Sequence, residues 1–368
     1  MAFCRRLKFA RIFTAVPFLF SKNMPARFIV ILVFVSVSAL FSSCNSSGDS
    51  PDVTKVKVEL DTRRFDRDLA QIDTNNLSAG LIQLKREYPD FLDFWLDQLM
   101  QFGIKGNYSD TTTGVHDQLR IFLTHKDFRG LFDTLAKHFP DTKSIETPLS
   151  KGFQYWKHYY PGHHVPEIVY FLSGLNNWSV VTLDTDIVGI GLDMYLGPDY
   201  PFYKSVGIPD YMAQTLKPEY APVNVFKAIY ENSYPFEAEG KNLLEMMIQR
   251  GKEQYFVSKM LPFLPDATRL GFTQAQTEWC EKNEALIYNF FVKANMLYET
   301  NWGKVLRYVN DGPNAAGMPD ESPGNVGTWL GWQIVKAYAA KHPEQPMDSL
   351  FAGKDAQRML QESSYKPR

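Results

Sequence analysis

The sequence predicts an α+β fold, predominantly helical, with one small antiparallel sheet. Three observations carry this. From Leu77 to Met100 and again beyond Tyr211, apolar residues recur at intervals of three and four, the spacing of one helix face. The middle, from Val165 to Gly197, is instead rich in β-branched and aromatic residues and is divided by Asn176-Asn177, which reads as short strands. Helices gathered on either side of one block of strands define α+β rather than an alternating α/β arrangement.

The elements follow in order. Thr54 to Leu60, TKVKVEL, alternates polar and apolar residues and predicts an edge strand. In LSAGLIQLKREYPDFLDFWLDQLM, Leu81, Leu84 and Tyr88 fall at helical spacing, as do Phe91, Trp95, Leu96 and Leu99. Pro89 divides these two helices, and Asp90 supplies a start signal for the second. Val115 to His138 reads as helical, with Leu119, Phe122, Phe128, Leu131 and Leu135 on its apolar side. Ile168 to Ser173 and Ser179 to Leu183 are predicted as antiparallel strands, with another near Ile187 to Leu192. Later, Leu244, Met247, Ile248, Gly251 and Tyr255 share a helix face, and Ala285 to Leu297 and Val326 to Ala340 form two more helices.

Residues 1–43 read as an address rather than a fold. The uncharged stretch 28–43 follows Arg27, ends in Ser42-Ser43 and meets Cys44 at once. A basic region, an apolar stretch and small residues at the cut site define a secretory signal. A cysteine directly after them resembles the lipobox of bacterial lipoproteins, in which the thiol is acylated and becomes the new N-terminus. Phe41 stands three before the cysteine, where that class usually has Leu. The apolar run is short of the roughly 20 residues a spanning helix needs, and no basic cluster follows it. Residues 44–53 predict a flexible tether, and 54–368 a single globular domain. Residues 1–23 carry a second basic, apolar segment with Arg5, Arg6, Lys8 and Arg11. Either Met24 is the true start or the chain has a genuine N-terminal extension.

Removing 1–43 takes away six basic residues and no acidic one from totals of 39 and 41, which leaves a formal charge of about −8. That excludes nucleic acid as a partner and leaves acyl chains, not electrostatics, to hold a membrane. With 27 Phe, 19 Tyr and 7 Trp the chain can bury a sizeable core. Cys4 lies in the leader and Cys44 is the lipid site, so Cys280 has no intrachain partner and is predicted to be packed or half-exposed rather than nucleophilic. A core of this size needs no disulfide staples.

The remaining reactive residues form no catalytic signature. The histidines are His116, His125, His138, His158, His163, His164 and His342; no two stand at i, i+4 around a Glu, so the helix-borne zinc motif is missing. His163-His164 is expected in a polar turn before Pro166, and Asp184, Asp186 and Asp193 at solvated strand ends. No G-x-S-x-G, Walker loop or G-x-G-x-x-G occurs. Gly189 and Gly191 predict close packing or a bulge. Gly327 and Gly331, in GTWLG, predict the close approach of another backbone. Trp329 and Trp332 are predicted core residues, with contact to a ligand or partner as the alternative for one at the core's edge. No catalytic, cofactor-binding or metal residue is assigned; Cys44, for lipid, is the one site residue.

The signal and lipobox, RRFDRDLAQID, YPDFLDFWL, GLDMYLGPDYPFY, MIQRGKEQYFVSKMLP and PGNVGTWLGWQIVKAY together resemble the gliding-motility lipoprotein GldB of Bacteroidetes, over nearly the whole chain after the leader. The resemblance implies an envelope lipoprotein tied to gliding, a surface movement driven by a membrane motor and a secretion apparatus. GldB-like proteins also occur in members of the phylum that do not glide. The family is in turn distantly similar to zincin-like peptidases, which implies a degenerate zincin-like arrangement. Its sheet would be 168–192, its zinc helix NVFKAIYENS, Asn224 to Ser233, without a His. Its later helix would be Leu243 to Met260, where Arg250 rather than Glu precedes Gly251. The expectation is a non-enzymatic protein held by lipid on Cys44 to the outer membrane, on its periplasmic side, in contact with motility or secretion proteins. The alternative is a metal-dependent hydrolase of protein or peptidoglycan peptides, with Asp184, Asp186, Asp193, His163 and His164 as first suspects. A lipoprotein that binds a ligand in an aromatic pocket is a third reading.

Overall fold

Four short strands make one sheet: β1 (Thr62–Arg64), β2 (Glu167–Phe171), β3 (Val180–Leu183) and β4 (Ile187–Gly191), in the order β1-β2-β4-β3. The computed structural model describes residues 50–103, 108, 114–176 and 178–367. β1 runs parallel to β2, and β2 parallel to β4; only β3 and β4 are antiparallel. The α+β, mostly helical class stands, but the expected antiparallel sheet is a mixed one. β4 inserts between β2 and β3, so the two runs flanking Asn176-Asn177 never pair with each other. Their composition could have told this much: Ile168, Val169, Tyr170 and Phe171 are all buried, the continuous apolar run of a central parallel strand.

The edge strand expected at Thr54 to Leu60 begins in a turn at Thr54-Lys55 and makes no ladder, and pairing starts only at Thr62. Burial does alternate from Lys55 to Thr62. Alternation reports one face lying against the protein, whereas a strand also needs a neighbour to bond.

One face of the sheet is covered by α1 (Phe65–Ala70) and, beyond α2 (Leu77–Glu87), by α3 (Phe91–Phe94), which runs on into a π-turn over Trp95–Leu99. Phe65 sits among the rings of Tyr88, Phe91 and Trp95, with centroids at 5.1, 5.2 and 5.3 Å, all edge-on. Such pairs add about 0.5–1.5 kcal/mol each beyond area burial. Phe91 reaches Phe171 of β2 at 5.6 Å, and the Trp95 indole donates to the Leu172 carbonyl at 2.9 Å. The segment Val115 to His138 is two helices, α4 (Gly114–Thr124) and α5 (Lys126–His138), parted at His125. There the His125 backbone is extended and its ring accepts the Asp127 N–H. α6 (Lys143–Tyr159) is a long helix that the sequence pattern does not announce, because Pro148 stands inside it.

After the sheet come α7 (Pro201–Ser205), α8 (Asp210–Ala213) and α9 (Ala221–Ser233). Gly189 faces Phe91, while its neighbour Val188 turns the other way and meets Ile229 of α9 around a pocket. Successive strand residues point to opposite faces, so α9 covers the second face. The rest is helical: α10 (Leu243–Met260), α11 (Asp266–Leu270), α12 (Gln274–Lys282), α13 (Glu284–Lys293), α14 (Trp302–Val309), α15 (Val326–Lys341), α16 (Met347–Ala352) and α17 (Ala356–Ser363). α10 opens with a reciprocal cap. Asn242 accepts the Glu245 N–H and Glu245 accepts the Asn242 N–H, each at 3.0 Å. α10 and α15 cross backbone to backbone. A Cβ on Gly331 would fall 1.8 Å from the Met247 carbonyl oxygen, and one on Gly251 2.3 Å from the Gly331 carbonyl carbon. GTWLG therefore serves internal packing, and Trp329 and Trp332 are both buried.

Candidate binding groove

The residues facing outward between α9 and α10 line a groove of about 520 Å³. On α9, Asn224, Lys227, Ala228 and Glu231 are three or four apart and form one stripe. The alternate face, Val225, Phe226, Ile229 and Tyr230, goes into the core. On α10, Arg250 and Glu253 share the same stripe one turn apart. Arg250 Nη1 lies 2.8 Å from Glu231 Oε1 and 2.7 Å from Glu253 Oε2. The Glu253 carboxylate holds the guanidinium pKa above its ordinary value, and burial opposes this. With its side chain only 8% exposed, Glu253 needs that partner: removing one member of a buried ion pair costs about 3–5 kcal/mol.

The opposite wall comes from the end of α14 and the start of α15. The Asn325 amide nitrogen donates to Asp311 Oδ1 at 3.2 Å, so its oxygen is turned away from that carboxylate. This oxygen and Thr328 Oγ1 are both buried without a hydrogen-bond partner. An unsatisfied buried polar atom costs about 1–3 kcal/mol, and such atoms are few in native proteins. Ser179 and Val180, where β3 begins, complete the rim.

The suspected hydrolase residues separate into two places. His163, His164 and Asp184 gather around a second, mainly apolar pocket of about 240 Å³, with Trp156, Thr182, Val188 and Ile229 among its walls. At its mouth His164 Nε2 lies 2.9 Å from Asp186 Oδ1, both side chains more than half exposed. Asp184 takes a positive φ of 47° in the β3–β4 turn, and its carbonyl accepts from Asn232 at 2.8 Å. Among the described residues no group of three His, Cys, Asp or Glu is arranged to hold a metal ion.

Asp193 is not a solvated strand end. It is fully buried, and its carboxylate accepts from the Ser173 N–H and hydroxyl, each at 2.8 Å, and from the Leu175 N–H at 2.7 Å. Burial raises its pKa and these bonds oppose the rise. Its work is to lock the turn after β2. Cys280 is buried, and burial pushes its thiol up to about 12, as expected of a packed residue. Cys44 lies outside the described residues.

Sequence reading passed over Glu231, Glu253, Asn325 and Thr328. One signal was present. Lys252, Glu253 and Gln254 form a polar run inside a helix, and all three are buried. A polar run at the centre of a buried helix marks a place where the core is interrupted.

The chain matches the family described as gliding motility protein GldB over residues 46–367. It therefore belongs to the GldB family of gliding-motility lipoproteins. No curated protein and no solved structure matches it. Among the described residues no helix is long and apolar enough to cross a membrane.

Proposed function

We propose that the protein is a non-enzymatic accessory of the gliding apparatus or its associated secretion machinery. In this reading it is held by lipid on Cys44 to the outer membrane, facing the periplasm, and acts by contact with envelope proteins. The observation that carries it is the family match, which spans the whole folded part of the chain. The lipobox-like sequence before Cys44 supports the anchor, and the acidic balance supports a protein partner over an anionic surface.

The hydrolase alternative has less behind it. In the groove the carboxylates of Glu231 and Glu253 are already bridged by Arg250, whose charge repels a divalent cation at that spot. A degenerate zincin-like arrangement remains part of the proposal. It is supported by α9 lying across β3, by α10 packed beside it, and by Arg250 standing before Gly251.

The test is cross-linking in the protein's own cells, recovery of the full chain and mass spectrometry, with Cys44→Ser as the unanchored control. Motility or secretion components should come down with the native protein and be lost with the control. Recovery of the same abundant envelope proteins with both would overturn the accessory role. Stoichiometric zinc in the purified chain, together with a zinc-dependent rise in unfolding temperature, would overturn its non-enzymatic part.

A further inference from the structure

We propose that the apolar pocket behind α9 binds a small organic cation, an ammonium carried by one aromatic ring or a branched hydrocarbon of similar size. This goes beyond the accessory role and does not depend on it. The pocket is also distinct from the groove. The groove uses Asn224, Lys227, Ala228 and Glu231 of α9, whereas the pocket uses Ile229, Asn232 and Ser233. At about 100° per residue the two sets lie on different sides of the helix. Thr182 and Val188 stand opposite each other on β3 and β4, so their side chains share the sheet's second face. Trp156 closes the pocket from α6. Its indole donates to the His164 carbonyl at 3.3 Å, and the His163 ring lies edge-on to it at 5.4 Å.

Size and charge together define the occupant. Trp156, Val188 and Ile229 are all buried, yet about 240 Å³ stays open beside them. Protein interiors are otherwise close-packed, and an apolar cavity of about 150 Å³ takes up benzene. This one has room for a ring with a short chain. Its rim is acidic. Asp184 is exposed there, and its carboxylate makes no ion pair or hydrogen bond among the described residues. Asp186 is engaged by His164 Nε2 at 2.9 Å and by the Thr185 hydroxyl at 3.3 Å. The neighbouring cation, Lys157, donates to the Pro161 and His163 carbonyls at 3.2 and 2.6 Å. Asp184 is therefore the carboxylate left for a ligand. A neutral hydrocarbon would use only the cavity, and an anion of the same shape would meet two carboxylates at the entrance. An apolar body with a positive end satisfies both.

The probes are phenethylamine, phenethyl alcohol and hydrocinnamate, which share a ring and chain and differ in charge. Each is titrated against the full chain in non-ionic detergent micelles, with methyl NMR signals of Val188 and Ile229 as the readout. The amine should shift both signals saturably. It should bind about threefold tighter than the alcohol, the scale of an exposed charge pair, and the carboxylate should bind more weakly than either. Asp184→Asn keeps a residue type that accepts the left-handed backbone of this turn. It should erase the amine's advantage and leave binding of the alcohol unchanged. Thr182→Phe places a ring in the pocket from an edge strand that favours aromatic residues. It should weaken all three probes by about tenfold or more. If Thr182→Phe fails to fold, Asp184→Asn and the methyl shifts decide.

No saturable methyl shift with phenethylamine up to about 10 mM overturns the inference. So does an alcohol or carboxylate that binds as tightly as the amine, or an amine preference that survives Asp184→Asn. The cross-linking experiment reads the accessory role separately: envelope partners recovered from a chain that ignores all three probes leave that role intact and remove this site.

Discussion

At the scale of single residues, burial sets the chemistry. Lys252 is 3% exposed, and its ammonium reaches the Phe351 and Gly353 carbonyls at the end of α16. Burial lowers its pKa from 10.5 to about 8. In the window between those values the unfolded chain binds more protons than the folded one, so this group makes stability rise with pH. Lys252→Met should abolish about 1–3 kcal/mol of that rise. Buried tyrosines such as Tyr160 and Tyr230 have raised pKa values and act the other way at the alkaline end, because they ionise first when unfolded. The readout is therefore the difference between the two proteins in urea unfolding at matched pH; parallel curves would mean that the ammonium is solvated. Cys280 permits a simpler check. Iodoacetamide should leave it unmodified in the folded protein at neutral pH and label it after denaturation, since the thiol is buried and burial pushes its pKa up to about 12. Asp193 marks the limit of reading residues one at a time: in sequence it resembles Asp184 and Asp186, and only the fold brings Ser173 and Leu175 to its carboxylate.

At the scale of elements, two glycines on helices give opposite forecasts. Gly130, on the exposed face of α5, has open space where a Cβ would go. Gly130→Ala should stabilise by about 0.5–1 kcal/mol through helix propensity. Gly331→Ala gains the same propensity but drives a methyl into the Met247 carbonyl. It should cost about 3 kcal/mol or more as α10 and α15 are forced apart. Urea midpoints moving in opposite directions would confirm both, and a neutral Gly331→Ala would mean that the crossing is loose. Helices in which apolar residues recur at three- and four-residue spacing, α2, α10 and α15 among them, are legible in sequence. α6 is not. Its Pro148 and Gly152 both argue against a helix, yet Gly152 is where Phe226 of α9 packs, with a Cβ there only 2.4 Å from the ring. Tertiary contact outweighs propensity along this helix.

At the scale of the whole molecule, the proposed anchor and the acidic surface make a joint forecast. High salt should leave the protein in the membrane fraction and detergent should release it, because acyl chains rather than charge would hold it. Cys44→Ser should move it to the soluble fraction without salt or detergent. Release of the native chain by salt alone would show that charge, not lipid, holds it.

The sequence alone determined the helical majority, the position of each strand from β2 to β4, the internal role of GTWLG and the family. These depend on local periodicity, on composition and on motifs contiguous in the chain. Tertiary structure decided the strand order and the parallel pairing, since alternation does not name a strand's neighbour. It also decided the groove, whose polar atoms come from β3, α9, α10 and α15 and are separated by up to about 150 residues of chain. Arg250 is visible in the sequence as a residue before a glycine. That it bridges Glu231 and Glu253 across from two unpartnered buried atoms follows only from the way those helices pack.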